Sequence, residues 1–135
     1  MERDPSDILD RLSIAKLKSE RIGTDENHRE YLAFMTAFSK IKEKYPEFDW
    51  DQAYKMMTMI NSTMWFLEAE LKSGKDCLPN SHYLDDDVNI PKLALIGKNS
   101  ILIRNINGLR VQFKNFINSS LKEGFIDSKQ HHLSA

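Results

Sequence analysis

The chain has 135 residues, with 19 Lys and Arg against 20 Asp and Glu, and 41% of its residues are hydrophobic. At roughly 100–200 residues per domain this is one domain with a core of its own, too apolar and aromatic for a disordered chain. A net charge of −1 excludes a global basic field for nucleic acid, and the single Cys77 excludes a disulfide framework and most Cys-based zinc sites. The opening MERDPSD has no apolar leader segment, and no apolar run approaches the roughly 20 residues that cross a bilayer. The expectation is a cytoplasmic protein with neither a membrane nor a nucleic-acid partner.

The predicted elements are helices. Asp4 caps the first, Pro5 suits its first turn and Asp7 sits near the positive end of its dipole. Ile8, Leu12, Ala15 and Ile22 form its apolar stripe, supported by Leu9, and Gly23 is its left-handed terminator. Thr24 or Asp25 starts the second helix, which carries Tyr31, Leu32, Met35, Phe38 and Ile41 at helical spacing and stops before Pro46.

The third helix has the clearest signals. Asp49 and Gln52 resemble a capping box, with Phe48 stapling onto Ala53. Ala53, Met57, Ile60, Met64, Leu67 and Leu71 follow at 4, 3, 4, 3, 4 spacing, and Gly74 is the expected end. Met56, Met59 and Phe66 widen the apolar face, which predicts a helix that is central or covered by a second subunit. A long connection is expected over 74–90, and Pro91 opens a last helix running to about Leu121. Leu102, Ile106, Leu109, Phe113 and Phe116 mark its apolar face, and Gly97 and Gly108 predict a break or close packing. The expected architecture is all-α, four main helices in a compact bundle over 1–124, oligomeric through the Met-rich helix, with a loose tail at 125–135.

Catalytic and metal signatures fail on inspection. Gly97-Lys98-Asn99-Ser100 lacks the upstream glycine and the terminal Gly-Lys-Ser/Thr of a phosphate loop. Cys77, His82, His131, His132 and the run Asp85-Asp86-Asp87 have no spacing that matches a metal site, so neither metal nor cofactor is expected. Asn61-Ser62-Thr63 and Asn118-Ser119-Ser120 match a glycosylation sequon inside predicted helices. The paired Glu-x-x-Glu motifs of helical NTP pyrophosphohydrolases are missing, and Asp7-x-x-Asp10 is the nearest approach.

What remains is polar chemistry on otherwise apolar helices. Asp7, Arg11, Lys18 and Arg21 share a face of the first helix, with Asp10 beside it. Asn61, Trp65, Glu68 and Lys72 run beside the core stripe of the third, and Asn107, Arg110, Lys114 and Asn118 are spaced 3, 4, 4 on the last. Charged helix faces are usually solvated, and the same residues could instead form a buried network that sets helix register.

These positions carry a resemblance. The segment 6–22 (Ser-Asp-Ile-Leu-Asp-Arg-Leu-Ser-Ile-Ala-Lys-Leu-Lys-Ser-Glu-Arg-Ile) resembles the N-terminal signature of a helical domain family of unknown function from bacteria and phages. Met59-Ile-Asn61-x3-Trp65-x2-Glu68 is similar to that family's middle element. Asn107-x2-Arg110-x3-Lys114-x2-Ile117-Asn118 resembles its last-helix motif, and Lys129 matches a lysine near its C-terminus. The chain departs at Gly108, where the family usually has Asp, and in following Lys129 with Gln-His-His rather than an aromatic residue. The resemblance implies no reaction.

The leading expectation is non-catalytic binding of a small anionic, nucleotide-type ligand. Arg11, Lys18, Arg110 and Lys114 would meet phosphate, Asn61, Asn107 and Asn118 would read base or ribose edges, and Trp65 or Tyr54 would stack on the base. Asp10 and Glu68 would support them. With the resemblance, this suggests a phage sponge for a host immune signalling nucleotide. The alternative is a helical protein-interaction module whose polar residues pair internally, and the third is an enzyme acting on nucleotides or sugar nucleotides.

Overall fold

The computed structural model describes residues 3–76 and 89–121. Its element order is α1 (Pro5–Arg21), α2 (Asp25–Lys44), α3 (Trp50–Asp76) and α4 (Asn89–Ser120), with no strand among the described residues. The fold is all-α, with four helices among the described residues. No helix among the described residues is long and apolar enough to cross a membrane.

The helix ends follow their caps. Asp4 accepts from the backbone N–H of Asp7 at 2.8 Å and from the Ser6 hydroxyl at 2.8 Å, which fixes the start of α1. Gly23, at φ 76°, makes the left-handed turn after α1. Thr24 then caps α2 through the N–H of Asn27. Tyr45 ends α2 just before Pro46, and Asp49 receives the N–H of Gln52 at 3.1 Å to open α3.

Several boundaries and faces differ from expectation. Gly74 does not end α3, which runs on to Asp76; one interior glycine costs about 1 kcal/mol against Ala and does not forbid a helix. Nor does Pro91 open α4, which starts at Asn89, since proline is tolerated anywhere the first turn leaves an N–H without an intrahelical partner. Of the expected connection over 74–90, residues 74–76 and 89–90 are therefore helical, and 77–88, like the tail at 125–135, lie outside the described residues. Gly97 and Gly108 produce neither a break nor close packing: α4 is continuous through both, and nothing lies within 4 Å of where a Cβ would stand.

The chain divides into two compact units, Met1–Asn61 with Arg110–Ala135, and Ser62–Leu109. The core of the first unit takes Leu9 and Leu12 from α1, Phe38 and Ile41 from α2, Trp50, Ala53 and Met57 from α3, and Ile117 from α4. Phe38 and Trp50 meet edge to face at 5.5 Å between ring centres, and the Trp50 indole donates to the carbonyl of Tyr45 at 2.9 Å. Phe48 packs against this cluster, where the staple residue was expected. Ile22 instead is exposed, because it lies at the C-cap, where the helical period no longer sets direction. Leu32 and Met35 are also exposed, off the Tyr31, Phe34, Phe38, Ile41 stripe that faces the core. In the second unit Leu67 is buried, while Phe66, Leu95, Ile101, Leu102 and Leu109 are exposed.

On α4 the expected apolar face is met only in part, with Phe113 inward and Ile106 half-buried. Ile117 is fully buried and Phe113 packs on the core, but Leu102, Leu109 and Phe116 are exposed. Within the first unit the inward face of α4 carries Arg110, Phe113, Lys114, Ile117 and Asn118, so apolar and polar residues enter together.

Met57 and Met59 make the sharpest test, since the first is fully buried and the second mostly exposed on the same helix. Met57→Asp should cost several kcal/mol out of a total of roughly 5–15, whereas Met59→Asp should leave the stability of the chain almost unchanged. Urea denaturation followed by circular dichroism reads both.

Candidate functional site

Asp10 lies in the middle turns of α1, flanked by Leu9 and Leu12, so the packing that buries those leucines also removes a carboxylate from water. Its side chain is 1% exposed. A carboxylate in that position needs donors, and two other helices supply them.

From α4, the Arg110 Nε lies 2.9 Å from Asp10 Oδ1 and 3.1 Å from Oδ2, and its Nη2 also donates to Oδ2. The planar guanidinium fork thus engages both oxygens. From α3, the Asn61 amide donates to Asp10 Oδ1 at 2.9 Å and to the Ser13 hydroxyl oxygen at 2.6 Å. Ser13 in turn donates to the Asp10 carbonyl at 2.8 Å. Asp10, Ser13 and Asn61 are all buried, and Arg110 reaches them with a side chain 27% exposed.

A second carboxylate extends the network outward. Asp7, one turn earlier on α1, accepts from Arg11 at 2.9 Å, from Lys114 at 3.2 Å and from Arg3 at 3.2 Å. Lys114 also stands 3.8 Å from Asp10, so it bridges the two acids. Partial burial pushes the Asp7 carboxyl upward, but hydrogen bonds from Arg11 and Lys114, the charge of Lys114 and a hydrogen bond from Arg3 outweigh it. They hold the group below its ordinary value of 3.8.

Of the residues expected to bind a ligand, Asn61, Arg110, Lys114 and Arg11 come together in this network, with Asp10 at its centre. Lys18 is half-buried further along α1 and is not among the residues that meet Asp7 or Asp10. Asn118 is buried on α4, and its Oδ1 has no hydrogen-bond partner among the described residues. Trp65, Glu68 and Asn107 belong to the second unit, Trp65 half-buried and the other two exposed. Tyr54 stacks on Phe38 with ring centres 6.4 Å apart and lies under the Lys16 ammonium, so it serves the core of the first unit. Lys129 and the cysteine, histidine and aspartate residues weighed as metal ligands lie outside the described residues.

Three members of the network, Ser13, Asp7 and Arg3, were absent from the expected site. Ser13 is fully buried and relays Asn61 to the α1 backbone. Its signal was the Asp10-x-x-Ser13 spacing, which puts both side chains on one side of a helix beside Leu9 and Leu12. Asp7 was legible only as a member of a charged face.

The arrangement binds cations to carboxylates and holds three helices. Within it the Ser13 hydroxyl donates to a backbone carbonyl, and the Lys114 ammonium is shared between the Asp7 and Asp10 carboxylates. Comparison with known proteins finds no family model, no curated protein and no solved structure that matches the chain.

Asp7 makes the network pH-sensitive with a definite sign. A carboxyl whose value is lowered by folding adds stability above its unfolded value and loses it as pH falls through the folded one. Melting temperatures of the parent and of Asp7→Asn should therefore differ at neutral pH and converge in the acid range below about pH 4. Parallel curves across that range would show that Asp7 contributes nothing through its charge.

Proposed function

We propose that the chain is a non-catalytic helical assembly module, in which the polar residues lock the helices internally and an apolar surface docks a second copy of the chain. The observation that carries this reading is the exposure of large apolar side chains in Ser62–Leu109. Phe66 is 59% exposed and Leu109 55%, with Leu95, Ile101 and Leu102 also open. Where such side chains form one contiguous apolar patch, they mark an interaction site. The internal pairing of Arg110, Lys114 and Asn61 supports the same reading, because these groups are already engaged by the chain's own carboxylates.

One observation favours a second reading, capture of a small anionic ligand such as a nucleotide. The network sets four cations, Arg3, Arg11, Arg110 and Lys114, against two carboxylates, Asp7 and Asp10. The outer cations, Arg3 and Arg11, are about half exposed. An anion entering there would complete the charge balance, and in a phage setting such capture would remove a signalling nucleotide from its receptor.

Light scattering separates the readings. The assembly reading expects a mass above the 15.7 kDa of one chain at micromolar concentration, and Phe66→Glu or Leu102→Glu should return the monomer with its helicity intact. A parent that is monomeric, and whose melting temperature rises with a linear or cyclic nucleotide, would overturn it in favour of the second reading.

A further inference from the structure

A groove of about 530 Å³ is lined by residues of α1 and α2 and shares Arg3 with the Asp7 carboxylate. Its floor is apolar, formed by Ile8 of α1 and by Phe34 and Ile41 of α2. Ala33 and Ala37, one turn apart on α2, leave the space unfilled. Arg3, Lys40 and Lys44 surround it and introduce no acidic group.

Small-molecule sites have this composition: apolar walls, a few placed polar groups and a volume of about 300–1,000 Å³. The three cations define the complementary charge of the occupant. Lys40 has no partner among the described residues, Lys44 is held over the ring of Tyr45 with its ammonium 5.3 Å from the ring centre, and Arg3 gives one nitrogen to Asp7. The walls define its body. Thr36, which also lines the groove, already donates to the carbonyl of Leu32 at 3.1 Å. An alkyl chain needs nothing more than the apolar side chains that line the groove.

We propose that this groove binds a free single-chain amphiphile with an anionic head group, its chain over Ile8, Phe34 and Ile41 and its head at Lys40 and Lys44. The site is independent of the assembly reading, since none of its residues belongs to Ser62–Leu109.

Decyl phosphate, kept below its micelle concentration, is the probe. Titration calorimetry with the full chain should show saturable binding of one molecule per chain. Amide shifts should be confined to the neighbourhood of Ile8, Phe34, Ala37 and Ile41. Lys40→Glu, a surface change, should weaken binding by about tenfold or more, as one charge-assisted contact is lost and a like charge added. Ala37→Leu should abolish binding by filling the groove while the circular dichroism spectrum stays unchanged. Inorganic phosphate and octyl glucoside, each carrying half of the required chemistry, should not bind. Equal affinity for octyl glucoside, equal affinity in Lys40→Glu, or absence of saturable binding would overturn the proposal. So would capture by phosphatidylglycerol vesicles without binding of the free amphiphile, which would identify a membrane surface instead.

Discussion

A carboxylate that has left water governs the first unit of this protein. Asp10 is buried by the same leucines that make α1 a core helix, and its charge can stay there only if donors meet it. Arg110 and Asn61 do so from two other helices, which sets their rotation and their position along the axis. An apolar contact tolerates a slip by part of a turn. A forked guanidinium on two oxygens, with an amide shared between one of those oxygens and Ser13, does not. Register is therefore the property that the polar groups add to a core already held by Leu9, Met57 and Ile117.

The same constraint explains why polar residues enter with apolar ones on the inward face of α4. Arg110 and Lys114 are one turn apart, and Ile117 and Asn118 continue the row, so directing the cations at α1 also directs Ile117 into the core. Leu109 and Phe116 are left outward. An apolar residue pushed outward by a polar one pushed inward is a local conflict within the chain, and exposed apolar surface of that origin is what a second protein surface can relieve.

The helices themselves were legible from residue types. Asp4, Gly23, Thr24 and Asp49 each supply a specific terminal group, and the 4, 3, 4 spacing of α3 identifies Ala53 and Met57 as core. Boundaries without a strong chemical stop were less legible, since Gly74 only taxes a helix and Pro91 fits inside a first turn. Polar residues were legible as a set, Asp10, Asn61, Arg110 and Lys114, but not by role. Periodicity says which residues share a face, and hydropathy then sends charged faces to solvent. Whether a charged face turns inward depends on a partner about a hundred positions away, as Arg110 is from Asp10, and no local pattern contains that information.

The central claim is that Asp10 and Arg110 form a structural couple, and a double-mutant cycle with Asp10→Leu and Arg110→Met measures it most directly. Denaturant unfolding should show Arg110→Met costing about 3–5 kcal/mol, because it leaves the Asp10 carboxylate buried without its forked partner. Asp10→Leu should cost less, because the Arg110 side chain is 27% exposed and can be solvated. The double change should cost clearly less than the sum, with an interaction energy above about 1 kcal/mol. Two small and additive losses would contradict the account and return Arg110 to the role of a cation waiting for an external anion.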